Sequence, residues 1–101
     1  MELIDVDGHK LKIGDKVKAV KDHDDAIITD QVGIIRCFVS GNYVGVEFNK
    51  PILDGDGHLV GHNLNEISET DNGWNIPADY LKLICQKQRL VNRNGKLGFS
   101  D

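Results

Sequence analysis

The sequence predicts an all-β domain, a small barrel of five to six short antiparallel strands. Three observations carry this. Asp7-Gly8 stands between two alternating runs, ELIDV and HKLKI, and an Asp-Gly pair so flanked is the strongest short hairpin signal. Short runs of apolar and β-branched residues recur through residue 84, with Gly, Asn, Asp or Pro between them. No stretch sustains the apolar period of an amphipathic helix.

A two-residue turn at Asp7-Gly8 pairs Val6 with His9, Asp5 with Lys10 and Ile4 with Leu11. That register puts Ile4, Val6, Leu11 and Ile13 on one inward face and sets Asp5 across from Lys10. Gly14-Asp15 is the next turn and KVKAV (16–20) the next strand. KDHDDAIITD (21–30) reads as an acidic loop with an apolar interruption at Ala26–Ile28. VGIIRCFV (32–39) is too continuously apolar for a strand with one wet face. After the turn at Ser40-Gly41-Asn42, YVGVEF (43–48) alternates. Val44, Val46 and Phe48 point inward, and Gly45 leaves a gap on the other face where a large side chain can approach.

Residues 51–72 are irregular. ILDGDGHLV folds back as a small hairpin with Asp56-Gly57 at its turn, and GHNLNEISETDNG is a loop. Residues 74–76 make a short strand with Trp74 and Ile76 on the interior face. Pro77-Ala78-Asp79-Tyr80 makes one tight 3₁₀ turn, because proline presets φ. LKLI (81–84) closes the domain. Residues 1–84 therefore form one domain, opened by a hairpin at 1–13. Residues 85–101 form a basic tail with a further hairpin signal at Asn94-Gly95 and few apolar residues to hold it.

The 101 residues suit one domain, and 40% apolar with 28% charged residues is globular composition. No run approaches the length of a membrane span, and the N-terminus lacks the pattern of a secretory leader. Cys37 and Cys85 make no disulfide framework, which suits reduced thiols and a cytoplasmic location. Net charge is −4. Residues 1–84 hold 8 Lys/Arg against 15 Asp/Glu, or −7; residues 85–101 hold four bases and one acid, or +3. Residues 51–81 contain six acids and no Lys or Arg. Such a body repels nucleic acid and attracts basic protein surfaces.

GWNIPADYLKLI resembles the end of SH3-like peptide-binding domains, with Pro77 and Tyr80 on the matching positions. VGVEFNKP followed by a Gly-rich loop and Gly73-Trp74 resembles CAP-Gly domains. IGDKVKAV with the later VGII resembles KOW segments, matching at Gly14, Asp15, Val17 and Gly33. The opening hairpin, the VGVEF strand, the GHNL loop and the GW…P…L ending are similar to small proteins of bacteria and their phages. The resemblance implies an SH3-like barrel over residues 10–84. It carries no activity across: KAVKDHDD stands where peptide-binding members have an acidic-aromatic segment. DGDGHLVGHNL stands where CAP-Gly domains hold a carboxylate.

The chemistry points to binding rather than catalysis. Asp54, Asp56, His58 and His62 form D-x-D-x-H-x₃-H, a set of oxygen and imidazole donors. It fails as an EF-hand loop, with Leu59 at the glycine position and Asn65 in place of the bidentate Glu, and it lacks the cysteines of a structural zinc site. The prediction is no metal and no cofactor; a metal-binding protein or metal-dependent enzyme ranks third among the readings. The second D-x-D-G-H, at 5–9, is the same turn chemistry used again. Cys37 reads as core, and no nucleophile motif surrounds Cys85. The prediction is therefore a non-enzymatic protein-binding module, a bacterial or phage accessory factor. Its contact residues are Tyr80, Pro77, Trp74, Tyr43, Asp54 and Asp56, and its partner presents a basic surface. The alternative is a KOW-like module that engages RNA through Lys87, Arg89, Arg93 and Lys96.

Overall fold

A computed structural model describes residues 3–85. The chain is all-β. Five antiparallel strands, β1 (Lys16–Ala19), β2 (Val32–Phe38), β3 (Tyr43–Phe48), β4 (Gly73–Pro77) and β5 (Leu81–Cys85), form one sheet in the order β4-β3-β2-β1-β5. A single 3₁₀ turn, Ala78–Tyr80, joins β4 to β5. Pro77 ends β4 with φ −58° and so presets that turn. It is tolerated because β4 is an edge strand. The Ala78 N–H, next along, donates to Asn42 O at 2.7 Å.

The core follows the alternation of the strands and is completed by the loops. Val17, Ala19, Ile35, Val44, Val46, Phe48, Ile76 and Leu81 supply the strand side. Ala26 and Ile28, the apolar interruption in the acidic loop, and Ile52 are fully buried against it. A β-bulge between Ile35 and Cys37 leaves Arg36 without a register partner on β3. Its Nε instead donates to Glu47 at 2.8 Å.

The N-terminal hairpin forms, but one residue out of the expected register. Ile4 bridges Lys10, and the Leu11 N–H donates to Leu3 O at 2.9 Å. The loop is Val6-Asp7-Gly8 rather than Asp7-Gly8 alone, with Gly8 at φ +89° as in three-residue hairpin loops. The cause is the Asp5 carboxylate. Its Oδ1 accepts the Asp7 and His9 N–H groups at 2.9 and 2.7 Å, and that cap requires the longer loop. A one-residue slip exchanges faces. Leu3 is therefore buried beside Leu11, whereas Ile4 and Val6 are exposed; Ile13 is exposed because it lies in the Lys12–Asp15 turn. Asp5 does not face Lys10; it is buried and turned toward β5.

The second face of the sheet is covered by residues 61–72. The gap at Gly45 is filled: a Cβ there would lie 2.6 Å from Cys37 Sγ and 3.3 Å from Leu64 Cδ2. Gly73 accommodates the same leucine, whose Cγ would sit 2.5 Å from an added Cβ. Glu47 anchors this loop from below. Its buried carboxylate accepts from Thr70 Oγ1 at 2.6 Å, from Thr70 N at 2.9 Å and from Arg36. Burial alone would raise the Glu47 pKa. The Thr70 and Arg36 donors outweigh it and hold the carboxyl below its ordinary value.

Candidate functional site

The acidic loop after β1 is built by one aspartate. Asp22 Oδ1 accepts from Ile28 N, Thr29 N and Thr29 Oγ1, all within 2.9 Å. The Thr29 bonds lower the Asp22 pKa. With its ends tied in this way, the loop presents His23 to the end of the sheet. Tyr43, the first residue of β3, lies opposite Pro77 at the end of β4, and the 3₁₀ turn brings Tyr80 alongside. The His23 ring stands edge-on to both tyrosines, with centroids 5.6 Å from Tyr43 and 5.4 Å from Tyr80. Lys21 Nζ sits 4.1 Å from the Tyr80 centroid, a cation–π distance. His23 Nε2 lies 3.3 Å from an Asp24 carboxylate oxygen. Tyrosines that pack a ring and keep a polar tip suit a contact surface.

On its other side the same loop borders an acidic depression. Asp24, Asp25, Ile27, Asp54, Gly55 and Asp56 line an open cavity of about 390 Å³. Beside it runs an apolar strip. Ile27 bridges Leu53 and Leu53 bridges Leu59, so the three side chains share a face. They are 47%, 40% and 73% exposed.

Of the six predicted contact residues, Tyr43 and Tyr80 come together on His23, and Pro77 lies opposite Tyr43. Asp54 and Asp56 meet Asp24 and Asp25 in the neighbouring depression. Trp74 stands apart: it pairs with Val46, packs on the core with Ile76, and lies 5.6 Å from the His62 ring. His23, Lys21, Asp24, Asp25 and Ile27 were not singled out from the sequence. Their only signal was the apolar interruption at Ala26–Ile28, which marks a loop pinned to the core. Lys87, Arg89, Arg93 and Lys96 lie outside the described residues, as does the reading of residues 86–101 as a loosely held tail.

The D-x-D-x-H-x₃-H set does not assemble as four ligands. Asp54, Asp56 and His58 place donor atoms within 4.8 Å of one another. His62 instead accepts the Leu64 N–H at 3.1 Å and faces Trp74. Asp5, Asp7 and His9 form the same three-residue grouping. In both, the first aspartate already caps its own turn. Asp54 Oδ1 accepts Asp56 N and His58 N at 2.9 Å each, which lowers its pKa, chiefly through the His58 amide. Cys37 and Cys85 form no disulfide. No helix among the described residues is long and apolar enough to cross a membrane.

No protein-family model matches this chain, and neither a curated protein nor a solved structure is significantly similar to it.

Proposed function

We propose that the chain is a non-catalytic protein-binding module of the SH3-like kind, an accessory factor of bacterial or phage cytoplasm. The observation that carries this is the convergence of Tyr43 and Tyr80, from separate parts of the chain, on His23, with Pro77 opposite Tyr43. The strand order and the one-turn helix between β4 and β5 support the SH3-like reading. The carboxylates of Asp24, Asp25, Asp54 and Asp56 border that surface, so the partner presents Lys and Arg. The same carboxylates disfavour nucleic acid, whose phosphates they repel.

The test compares capture from source-cell cytosol by the wild-type chain and by Tyr80→Ala. A partner with a basic surface is lost with Tyr80→Ala while the domain stays folded, because a rim aromatic contributes affinity more than stability. Trp74→Ala acts the other way and destabilises the fold by about 2–4 kcal/mol, since this ring packs on the core. Capture unchanged by Tyr80→Ala, or lost only in a folded Trp74→Ala variant, places the contact surface elsewhere.

A further inference from the structure

We infer that the chain's own C-terminal segment, residues 86–101, docks in cis on the strip formed by Ile27, Leu53 and Leu59 and its rim of Asp24, Asp25, Asp54 and Asp56. The strip is exposed and apolar, and the four carboxylates stand beside it in one open depression. An occupant must therefore offer apolar side chains and positive charge together. The C-terminal segment offers both: Leu90, Val91, Leu97 and Phe99 are interleaved with Lys87, Arg89, Arg93 and Lys96, and its net charge is +3. That sign opposes the −7 of residues 1–84. Reach does not limit the contact. Sixteen residues span up to about 53 Å at roughly 3.3 Å each, well beyond the roughly 30 Å diameter of a compact body of this size. Tethering keeps the segment at a local concentration on the order of millimolar, so a weak contact suffices to populate it.

The consequence is a built-in competitor. A basic partner that approaches the Tyr43–His23–Tyr80 end crosses the acidic rim which the segment occupies, and must displace it. The cis contact itself stands whether or not such a partner exists, and its test needs none. A nitroxide is attached at Ser100→Cys in a full-length chain that also carries Cys37→Ala and Cys85→Ser. Amide intensities are then read residue by residue. The expected result is loss of intensity centred on residues 24–27 and 53–59, and its recovery when Lys87, Arg89, Arg93 and Lys96 are all changed to Gln. A second comparison needs no cysteine change: the wild-type full chain and the four-Gln full chain differ in amide shifts at the same residues. Intensity loss spread evenly or centred on another face overturns the proposal, as does a pattern indifferent to the four Gln changes. Equal loss on unlabelled copies mixed with labelled ones also overturns it, because the contact then lies between molecules.

Discussion

DVDGH at 5–9 and DGDGH at 54–58 are the same turn in two settings. In each, the first aspartate N–H donates to the histidine O at 2.9 Å and the glycine N–H returns to the aspartate O at 3.1 Å. In each, one carboxylate oxygen caps two amides of the loop, and the glycine has positive φ, +89° and +84°. The histidine ring nitrogen lies 3.1 Å from the carboxylate in the first turn and 3.6 Å in the second. The difference is anchorage to β5, where the Val6 N–H donates to Leu81 O at 2.9 Å. Asp5 Oδ2 also accepts the Leu83 N–H of β5 at 2.7 Å, across 78 residues, and its side chain is wholly buried, whereas that of Asp54 keeps 21% exposure. The first turn fastens the closing strand; the second offers its carboxylates to solvent and to the acidic depression. Local sequence builds a turn, and the position of its neighbours decides whether that turn is structure or surface.

The sharpest way to break this comparison is to remove the capping carboxylates. Asp5→Ala leaves the Leu83 amide and two loop amides without their acceptor and destabilises the domain by about 2–4 kcal/mol. Asp54→Ala causes a much smaller loss, because its amides reach water. Urea unfolding of both variants checks this, and equal losses would mean the Leu83 bond contributes nothing.

Next in size are the two glycines. A Cβ on Gly8 or Gly57 meets nothing within 4 Å, so Gly8→Ala costs only the left-handed backbone, about 1–2 kcal/mol. Gly57→Ala costs no more, since the exposed turn can rearrange without disturbing β5. A larger thermal destabilisation for Gly57→Ala than for Gly8→Ala would show the second hairpin to be the better anchored.

Acid gives the third contrast. Burial raises the Asp5 carboxyl, but the Leu83 and His9 amides and the His9 ring outweigh it, so its pKa lies below the ordinary value. Glu47 is lowered as well. For both, the unfolded chain takes up its proton at a higher pH than the folded one. Their stabilisation is therefore full above about pH 5 and is lost as pH falls through about 4 and below. Unfolding midpoints measured from neutral pH to pH 3 should fall steeply for the wild type and less steeply for Asp5→Asn. Asp54 is lowered as well, but its turn is exposed, so Asp54→Asn should flatten the profile least, the smallest effect of the series.

Much of the architecture was legible because strands and turns are local. Alternation in YVGVEF, the continuous VGIIRCF run, the Asp56-Gly57 hairpin and Pro77 ahead of a one-turn helix each depend on neighbours within a few residues. The gap at Gly45 was also legible, though not that Leu64 fills it. What pattern could not yield was the register of the first hairpin. Both registers satisfy an Asp-Gly turn, and the choice follows from the Asp5 carboxylate capping the Asp7 and His9 amides, as Asp54 caps its own turn. The site divides in the same way. Tyr43, Pro77 and Tyr80 could be chosen as aromatic and turn residues near strand ends. That the two tyrosines share one neighbour, His23, depends on how Asp22 folds a loop that carries no period of its own. Leu64, Asn65 and Glu66 take left-handed φ values of 55°, 57° and 73°, which no local preference favours in three non-glycine residues together. They hold there because the pocket over Gly45 and Gly73 buries Leu64, and because the Glu47 carboxylate grips the loop that follows. Sequence alone determined which segments are strands and where the chain turns. Tertiary structure alone decided which carboxylates are buried, which face of the first hairpin looks inward and which side chains meet at the site, because those outcomes rest on contacts between residues far apart along the chain.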